Sequence, residues 1–184
     1  MNEFRIVLVP VGEIEKNLLG KLQDELSLIF NPLQVTISNS IPIPKGAYDS
    51  NRGQYRSSPF LEALRKHDTD KRSKFLGITS LDLFANGLNF IFGQADGDVC
   101  IISTHRLRPE YYGEPHDEKI FVERSTKEAV HELGHTFSLK HCLNPSCVMY
   151  FSNHILDTDR KGKNFCEKCQ PNITKNINLV RKTN

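Results

Sequence analysis

The stretch AVHELGHTFSLKHCLNPSCVMYF, covering Ala129–Phe151, holds three histidines, two cysteines, a glutamate and a methionine. Imidazole and thiolate groups are the ligands that zinc prefers in proteins. Their density raises the question of whether this segment builds one metal site or two sites that meet at His141 and Cys142. The answer separates a zinc enzyme from a binding module that zinc only stabilises.

The pattern HELGH places His131 and His135 four residues apart on a predicted helix. Residues at positions i and i+4 share a helix face, so both imidazoles can reach one ion. Glu132 is turned off that face but stays within reach of a water on the ion. Two ligands, a general base and an open position are what metal-assisted hydrolysis requires. The bare pattern also occurs by chance, so the surrounding sequence has to decide.

His141 follows six residues after His135 and is the predicted third ligand. A continuous helix would carry it about 9 Å further along the axis, so the helix must end between the two histidines. The long pattern HExxHxxGxxH makes this break at a glycine, whereas this chain has Ser138. A left-handed conformation costs serine about 1 kcal/mol or more. Ser138 therefore either carries that strain or leaves the bend to Leu139 or Lys140.

Met149 lies eight residues beyond His141. A methionine in a tight turn beneath three zinc-binding histidines is the Met-turn of the metzincin class. The alternative is that Met149 simply fills the core, which is the usual role of a methionine. Its place after the histidines favours the Met-turn.

Four of the five cysteines form two close pairs, Cys142 with Cys147 and Cys166 with Cys169. Two such pairs, separated by eighteen residues, are typical of a structural zinc bound by four thiolates. Because four thiolates complete a tetrahedral zinc, no position remains for water. The segment is therefore predicted to contribute to two sites, with His141 serving the open site and Cys142 the closed one.

The composition is that of one ordinary globular domain. The 184 residues are 38% hydrophobic and 25% charged, and the net charge is only +2, which argues against nucleic acid or an acidic membrane as partner. No apolar run approaches the roughly 20 residues of a membrane helix, and the N-terminus does not resemble a signal peptide. An odd number of cysteines argues against a disulfide framework, and Cys100 is predicted to be a buried apolar residue. We therefore expect a cytoplasmic protein.

Hydrophobic periodicity predicts a mixed α/β fold. The predicted strands cover 4–11, 33–37, 74–79, 88–95 and 98–104, the predicted helices cover 13–30 and 57–67, and 41–55 is predicted to be a loop. Strand, helix and strand in that order predict a βαβ unit at the N-terminus. The dipeptide Asp96-Gly97 predicts an antiparallel hairpin with one strand at a sheet edge. Ser125 and Glu128 match a capping box, so the histidine-bearing helix is predicted to begin near Thr126.

Nine residues form one extended pattern: His131, Glu132, His135, His141, Cys142, Cys147, Met149, Cys166 and Cys169. The pattern resembles that of the archaemetzincins, which join a metzincin zinc motif to a four-cysteine zinc site through the Met-turn. The resemblance is dense between Val130 and Cys169. Two departures are Ser138 in place of glycine and a spacer before Cys166 that is one residue shorter than the commonest form.

The resemblance implies a metzincin-like fold in which a twisted mixed sheet backs the active-site helix. It implies a single metalloprotease domain over 1–184. In that domain, an N-terminal subdomain (1–137) precedes a small C-terminal subdomain (138–184) with the Met-turn and the structural zinc. The implied activity is that of a zinc peptidase, aminopeptidase-like on short substrates. An edge strand in such folds pairs with an extended peptide, and residues 88–95 are the predicted strand.

The sequence therefore predicts a peptidase with two zinc ions; it does not give the oligomeric state, for which a monomer is favoured. His131, His135 and His141 bind the catalytic ion, and Glu132 takes a proton from the zinc-bound water and passes it to the leaving amine. The structural ion is bound by Cys142, Cys147, Cys166 and Cys169. The hydroxyl of Tyr150, Tyr111 or Tyr112 could steady the oxyanion, although packing is the commoner role of such residues.

Two alternatives belong to other functional classes. The first is a zinc-stabilised peptide-binding protein with little or no turnover. Glu132 argues against it, because a purely structural three-histidine site needs no base. The second is a nucleic-acid-binding zinc ribbon, which the small net charge makes the weaker alternative.

Overall fold

In the computed structural model, which describes residues 4–67 and 72–182, all the described strands precede residue 104 and three α-helices follow them. The helices are α1 (Lys16–Ile29), α2 (Ser57–His67), α3 (Glu118–Thr136), α4 (Ile155–Arg160) and α5 (Gln170–Lys182). The strands are β1 (Arg5–Pro10), β2 (Gln34–Ile37), β3 (Tyr48–Asp49), β4 (Gln54–Arg56), β5 (Ser73–Thr79), β6 (Leu83–Phe84), β7 (Gly93–Asp96) and β8 (Val99–Ser103). Within these ranges no helix has both the length and the apolar character needed to cross a lipid bilayer.

The main sheet has five strands in the order β2-β1-β5-β8-β7. β1 pairs in parallel with β2 and β5, and β5 pairs in parallel with β8. β7 runs antiparallel to β8, which confirms the predicted hairpin at Asp96-Gly97 and places β7 at the edge of the sheet. The predicted mixed α/β fold is therefore confirmed.

Both faces of the main sheet are covered, which explains why its central strands are apolar runs rather than alternating ones. Along β1, Ile6 and Leu8 face one core with α1, α3 and the C-terminal segment, including Met149. Val7 and Val9 face the second core together with α2. The histidine-bearing helix α3 is thus held against the sheet by the first of these cores.

The start of α3 differs from the prediction. The helix begins at Glu118, eight residues before Thr126, and its N-cap is Asp117, whose carboxylate accepts a 3.0 Å hydrogen bond from the backbone N–H of Ile120. Ser125 lies inside the helix, where its hydroxyl donates to a backbone carbonyl one turn earlier at 2.8 Å. Serine followed by glutamate three residues later fits a helix interior as well as a helix start, so the predicted capping box is wrong.

The predicted strand 88–95 is only half right, because β7 starts at Gly93. The residues before it bind to a second, three-stranded sheet with the order β3-β4-β6, and two strands of this sheet lie in the predicted loop. The backbone N–H of Ile91 donates to the carbonyl of Leu83 at 2.9 Å. The guanidinium of Arg52 donates to two carbonyls of the same segment, at 3.1 and 2.9 Å. These hydrogen bonds, made with residues distant in the sequence, hold the apolar run at the second sheet instead of the main sheet.

A buried ion pair joins α3 to the chain that follows α4. Nζ of Lys161 lies 3.0 Å from Oε1 of Glu128, and the two side chains are 0% and 3% exposed. The Thr158 hydroxyl donates to the same oxygen at 2.9 Å, and Nζ of Lys161 also donates to the carbonyl of Tyr150 at 3.4 Å. The carboxylate and the ammonium each neutralise a charge that would be costly to bury alone. The pair therefore ties α3 to the segment that carries Met149.

We expect Glu128→Gln and Lys161→Met each to destabilise the zinc-loaded protein by about 3–5 kcal/mol, because each leaves an unpaired buried partner. The double variant should lose clearly less than the sum of the two, which urea unfolding of all four proteins would measure. Glu62→Gln is the matched control, since Glu62 pairs with Lys66 on an exposed helix face and should change stability little. Strictly additive losses would contradict the pairing.

Candidate metal centre

The structure brings the three predicted histidines together. His131 and His135 project from one face of α3, and their Nε2 atoms lie 3.1 Å apart. One ring nitrogen from each of His131, His135 and His141 lies within 4.8 Å of the others. Two imidazoles on a tetrahedral zinc have nitrogens about 3.3 Å apart, given Zn–N bonds of about 2.0–2.1 Å. The spacing therefore fits one ion of this size.

Backbone carbonyls fix the protonation of two of these rings. Nδ1 of His131 lies 2.8 Å from the carbonyl oxygen of Val148, and Nδ1 of His135 lies 2.8 Å from that of Leu139. A carbonyl only accepts, so each Nδ1 carries the proton and each Nε2 keeps its lone pair. Burial also lowers the pKa of His131 and that of His135, which favours the neutral rings. Two lone pairs facing each other at 3.1 Å repel, and a cation between them removes that repulsion.

Glu132 is buried beside these ligands and is only 5% exposed. Burial raises the pKa of its carboxyl well above the ordinary value; the nearby charge of Glu128 raises it further, and that of Lys161 opposes both. Its side chain lies against Gly93 at the start of β7. The structure thus places the side chain of the predicted base, which follows His131 in α3, against the edge strand.

The break in α3 occurs at Ser138, which has a φ of 65° and is the one non-glycine residue with positive φ in the described part of the chain. The backbone N–H of Ser138 donates to the carbonyl of His135 at 2.8 Å, and that of Leu139 donates to the carbonyl of Gly134 at 3.0 Å. This pair of bonds is a Schellman helix end with serine at its left-handed position. Of the two turns that the sequence allowed, the structure has the strained one.

Met149 lies directly beneath the ligand-bearing helix. A Cβ atom added at Gly134 would lie 2.5 Å from its sulfur, so the glycine inside HELGH makes room for the methionine. The carbonyl of Met149 accepts a 2.9 Å hydrogen bond from the N–H of Cys142, and the N–H of Tyr150 closes a turn onto Cys147 at 2.9 Å. These contacts are those expected of the predicted Met-turn.

The four predicted cysteines form the second cluster. The Sγ atoms of Cys142, Cys147, Cys166 and Cys169 all lie within 4.8 Å of one another, and the cysteines are unbridged. The 3.8 Å between the sulfurs of Cys142 and Cys166 matches the edge of a zinc tetrahedron with Zn–S bonds of about 2.3 Å. Burial raises the pKa of the Cys147 thiol, so a bound cation is needed to keep it a thiolate. The donor set fits a closed zinc site.

Two of the three tyrosines considered as oxyanion donors make other contacts. The hydroxyl of Tyr112 donates to the carbonyl of Arg106 at 2.9 Å, and burial raises its pKa to about 12. The ring of Tyr111 packs edge-on against His105, with centroids 5.3 Å apart. These contacts favour packing roles for both residues.

Three residues around the centre were missed from the sequence. Gly134 had a signal, since a glycine inside a helix often marks a close approach. No signal in the sequence marks Lys161 or Gly93, because the residues that they contact, Glu128 and Glu132, lie on another element of the fold.

Comparisons with known proteins agree with this geometry. The family model described as Peptidase family M54 matches residues 1–175, and the archaemetzincin of Pyrococcus furiosus is 46% identical over 171 residues, 89% of each chain. The chain belongs to the archaemetzincin family. This membership confirms the predicted class of enzyme, a zinc metallopeptidase of the metzincin type.

Two solved structures have the same fold over nearly the whole chain. An archaemetzincin from Methanopyrus kandleri superposes with a TM-score of 0.83 at 34% identity, covering 95% of this chain and 96% of that one. A zinc-dependent peptidase from Methanocorpusculum labreanum superposes with a TM-score of 0.84 at 31% identity, covering 91% and 99%. The metzincin-like fold class is therefore confirmed.

We expect Ser138→Gly to stabilise the zinc-loaded protein by a few tenths to about 1 kcal/mol, because glycine adopts positive φ without strain. Ser138→Val should lower the melting midpoint, since β-branched side chains are worst in that region. Thermal melts of the variants beside wild type would measure both effects. Gly97→Ala is the reverse control, because Gly97 has a φ of 64° in an open turn and alanine should destabilise it. A lowered midpoint for Ser138→Gly would show that the turn stores no strain.

Proposed function

We propose that this archaemetzincin hydrolyses peptide bonds at a zinc ion held by His131, His135 and His141, with Glu132 as the general base. One observation carries the proposal: two Nε2 atoms face each other at 3.1 Å while both Nδ1 atoms donate to backbone carbonyls. Such a pair presents two preset lone pairs to a cation. His141 supplies a third donor on the exposed side, where a substrate can approach.

Zinc bound there would supply Lewis acidity to a water and to the scissile carbonyl. Glu132 takes a proton from the attacking water and later gives it to the leaving amine. The carboxyl suits this exchange because it is shielded from bulk solvent at 5% exposure, next to the ligands but not one of them. His131 and His135 keep their ring planes fixed through their carbonyl partners, so the donors need no rearrangement during the reaction.

The proposed peptide site is the outer edge of β7. In the described residues no strand pairs with that edge, so an extended peptide could add to it as a further strand. A peptide there would run beside Glu132, whose side chain lies against Gly93. The edge spans only Gly93–Asp96, since the preceding residues are bound to the second sheet. A short edge favours short substrates and supports aminopeptidase-like activity.

The four cysteines are proposed to bind a structural zinc. Cys142 is adjacent to His141, and its N–H donates to the carbonyl of Met149 at 2.9 Å. A closed zinc site at Cys142 would therefore hold the third histidine in place and keep the chain turned at Ser138. Cysteines that bind zinc and are not joined in disulfides are typical of a reducing compartment, which supports a cytoplasmic location.

We expect Glu132→Ala to keep both metals and the fold but to lower the hydrolysis rate by about 10²–10⁴-fold, the usual cost of removing a general base. A peptide panel with zinc-loaded protein would measure the rate, and metal analysis would confirm the zinc content. Glu123→Ala, on an exposed part of the same helix, is the control and should cleave like wild type.

Two results would count against this mechanism. Cleavage by Glu132→Ala at the wild-type rate would remove Glu132 as the base. Wild-type protein that binds peptides without cleaving any of them would favour the peptide-binding alternative.

We expect two zinc ions per chain that leave separately. A chelator should strip the three-histidine site first, because its open position admits the chelator, whereas the four-cysteine site is closed and coupled to folding. Zinc content and circular dichroism followed over time would separate the two losses. His141→Ala should lose one zinc and stay folded, while Cys147→Ala should unfold more easily. Loss of both metals in one step together with unfolding would contradict two separable sites.

A further inference from the structure

Gly93 allows the edge strand to touch the proposed general base. A Cβ atom added at Gly93 would lie 2.5 Å from Cγ of Glu132, 2.7 Å from its Oε1 and 2.8 Å from its Cδ. Real Cβ contacts essentially never fall below 3.0 Å. Gly93 does not have a positive φ, so its backbone shape does not require glycine. What requires glycine is the close approach of the Glu132 side chain.

The Glu132 side chain has little freedom to avoid such a contact. It is 5% exposed, and it belongs to α3, which packs across both β7 and β8. One turn earlier on the same helix, Glu128 is held by Lys161 and Thr158. An added methyl group would therefore have to displace the carboxyl itself or push β7 away from the helix.

We propose that Gly93 is a positioning residue for Glu132: the bare backbone at this point of β7 sets where the carboxyl of the base lies. The inference deepens the proposed function and rests on it. It gives β7 a second task beside peptide binding. The strand that would align the substrate also aligns the carboxyl that moves the proton, so the backbone of β7 sets the position of both.

The test is Gly93→Ala in the zinc-loaded protein. We expect kcat to fall by roughly 10- to 100-fold, since displacing a catalytic group by about 1 Å costs up to about 10²-fold, while KM and zinc content change little. Gly20→Ala is the matched control, because Gly20 lies in α1 with no atom within 4 Å of an added Cβ and should leave kcat unchanged. A Gly93→Ala protein with wild-type kcat would overturn the proposal.

A double-mutant cycle with Glu132→Ala separates positioning from a general structural effect. Gly93→Ala should lower the melting midpoint in the wild-type background but not in the Glu132→Ala background, where the colliding atoms are gone. It should also leave the residual hydrolysis rate of Glu132→Ala unchanged. Equal losses in both backgrounds, or failure of both proteins to fold, would overturn the proposal, since the contact would then not be with Glu132.

The cycle also distinguishes this inference from the function on which it rests. Loss of activity in Glu132→Ala together with full activity in Gly93→Ala leaves the peptidase mechanism standing and removes only the role of Gly93. Full activity in Glu132→Ala removes the mechanism itself, whatever Gly93→Ala does.

Discussion

The candidate metal centre depends on a reversal of the chain that brings His141 back to the two histidines of α3. The helix has to end within one turn of His135, and the chain has to reverse through Ser138 at a φ of 65°. The reversal also orients the centre, because it delivers the carbonyl of Leu139 to Nδ1 of His135 at 2.8 Å. A single helix end therefore brings in the third histidine and fixes the tautomer of the second.

The segment after the turn continues this arrangement. The carbonyl of Val148 accepts a hydrogen bond from Nδ1 of His131, as that of Leu139 does from Nδ1 of His135, so both rings are held in the same tautomer. Met149 follows at once and fills the space that Gly134 leaves in the helix. Lys161, which pairs with Glu128 of α3, also donates to the carbonyl of Tyr150 and so holds the same segment. The ligands are thus oriented mainly by main-chain atoms, whose positions are set by packing.

The sequence predicts which histidines and which cysteines the fold brings together, because most of them lie close to one another along the chain. The histidines, and the cysteines within each pair, recur at short spacings that a helix turn or a tight loop can bring together. Asp96-Gly97 forms the predicted hairpin. The errors arose where one short pattern fits two settings. Ser125 matches a helix start, yet it lies within α3 and bonds its own helix.

The remaining errors and omissions depend on distant partners. Residues 88–92 have the composition of a strand, but Arg52, some 36 residues earlier, holds them to another sheet. The contact between Gly93 and Glu132 likewise joins two separate elements, β7 and α3. Hydrophobic periodicity in the sequence cannot predict such a contact. The proposed division at residue 138 has a similar limit, since Met149 and Phe165 share one core with α1 and α3.

The adjacency of His141 and Cys142 also has a thermodynamic consequence. With zinc in both proposed sites, the ion on the cysteines restricts the backbone of the third histidine before the other ion arrives. The conformational entropy lost on ordering His141 is then lost when the first ion binds. The second ion therefore binds more tightly than it would to the free loop. By thermodynamic linkage, each ion raises the affinity of the other site by the same factor. The two ions would therefore bind with positive cooperativity, because their ligands His141 and Cys142 are adjacent residues.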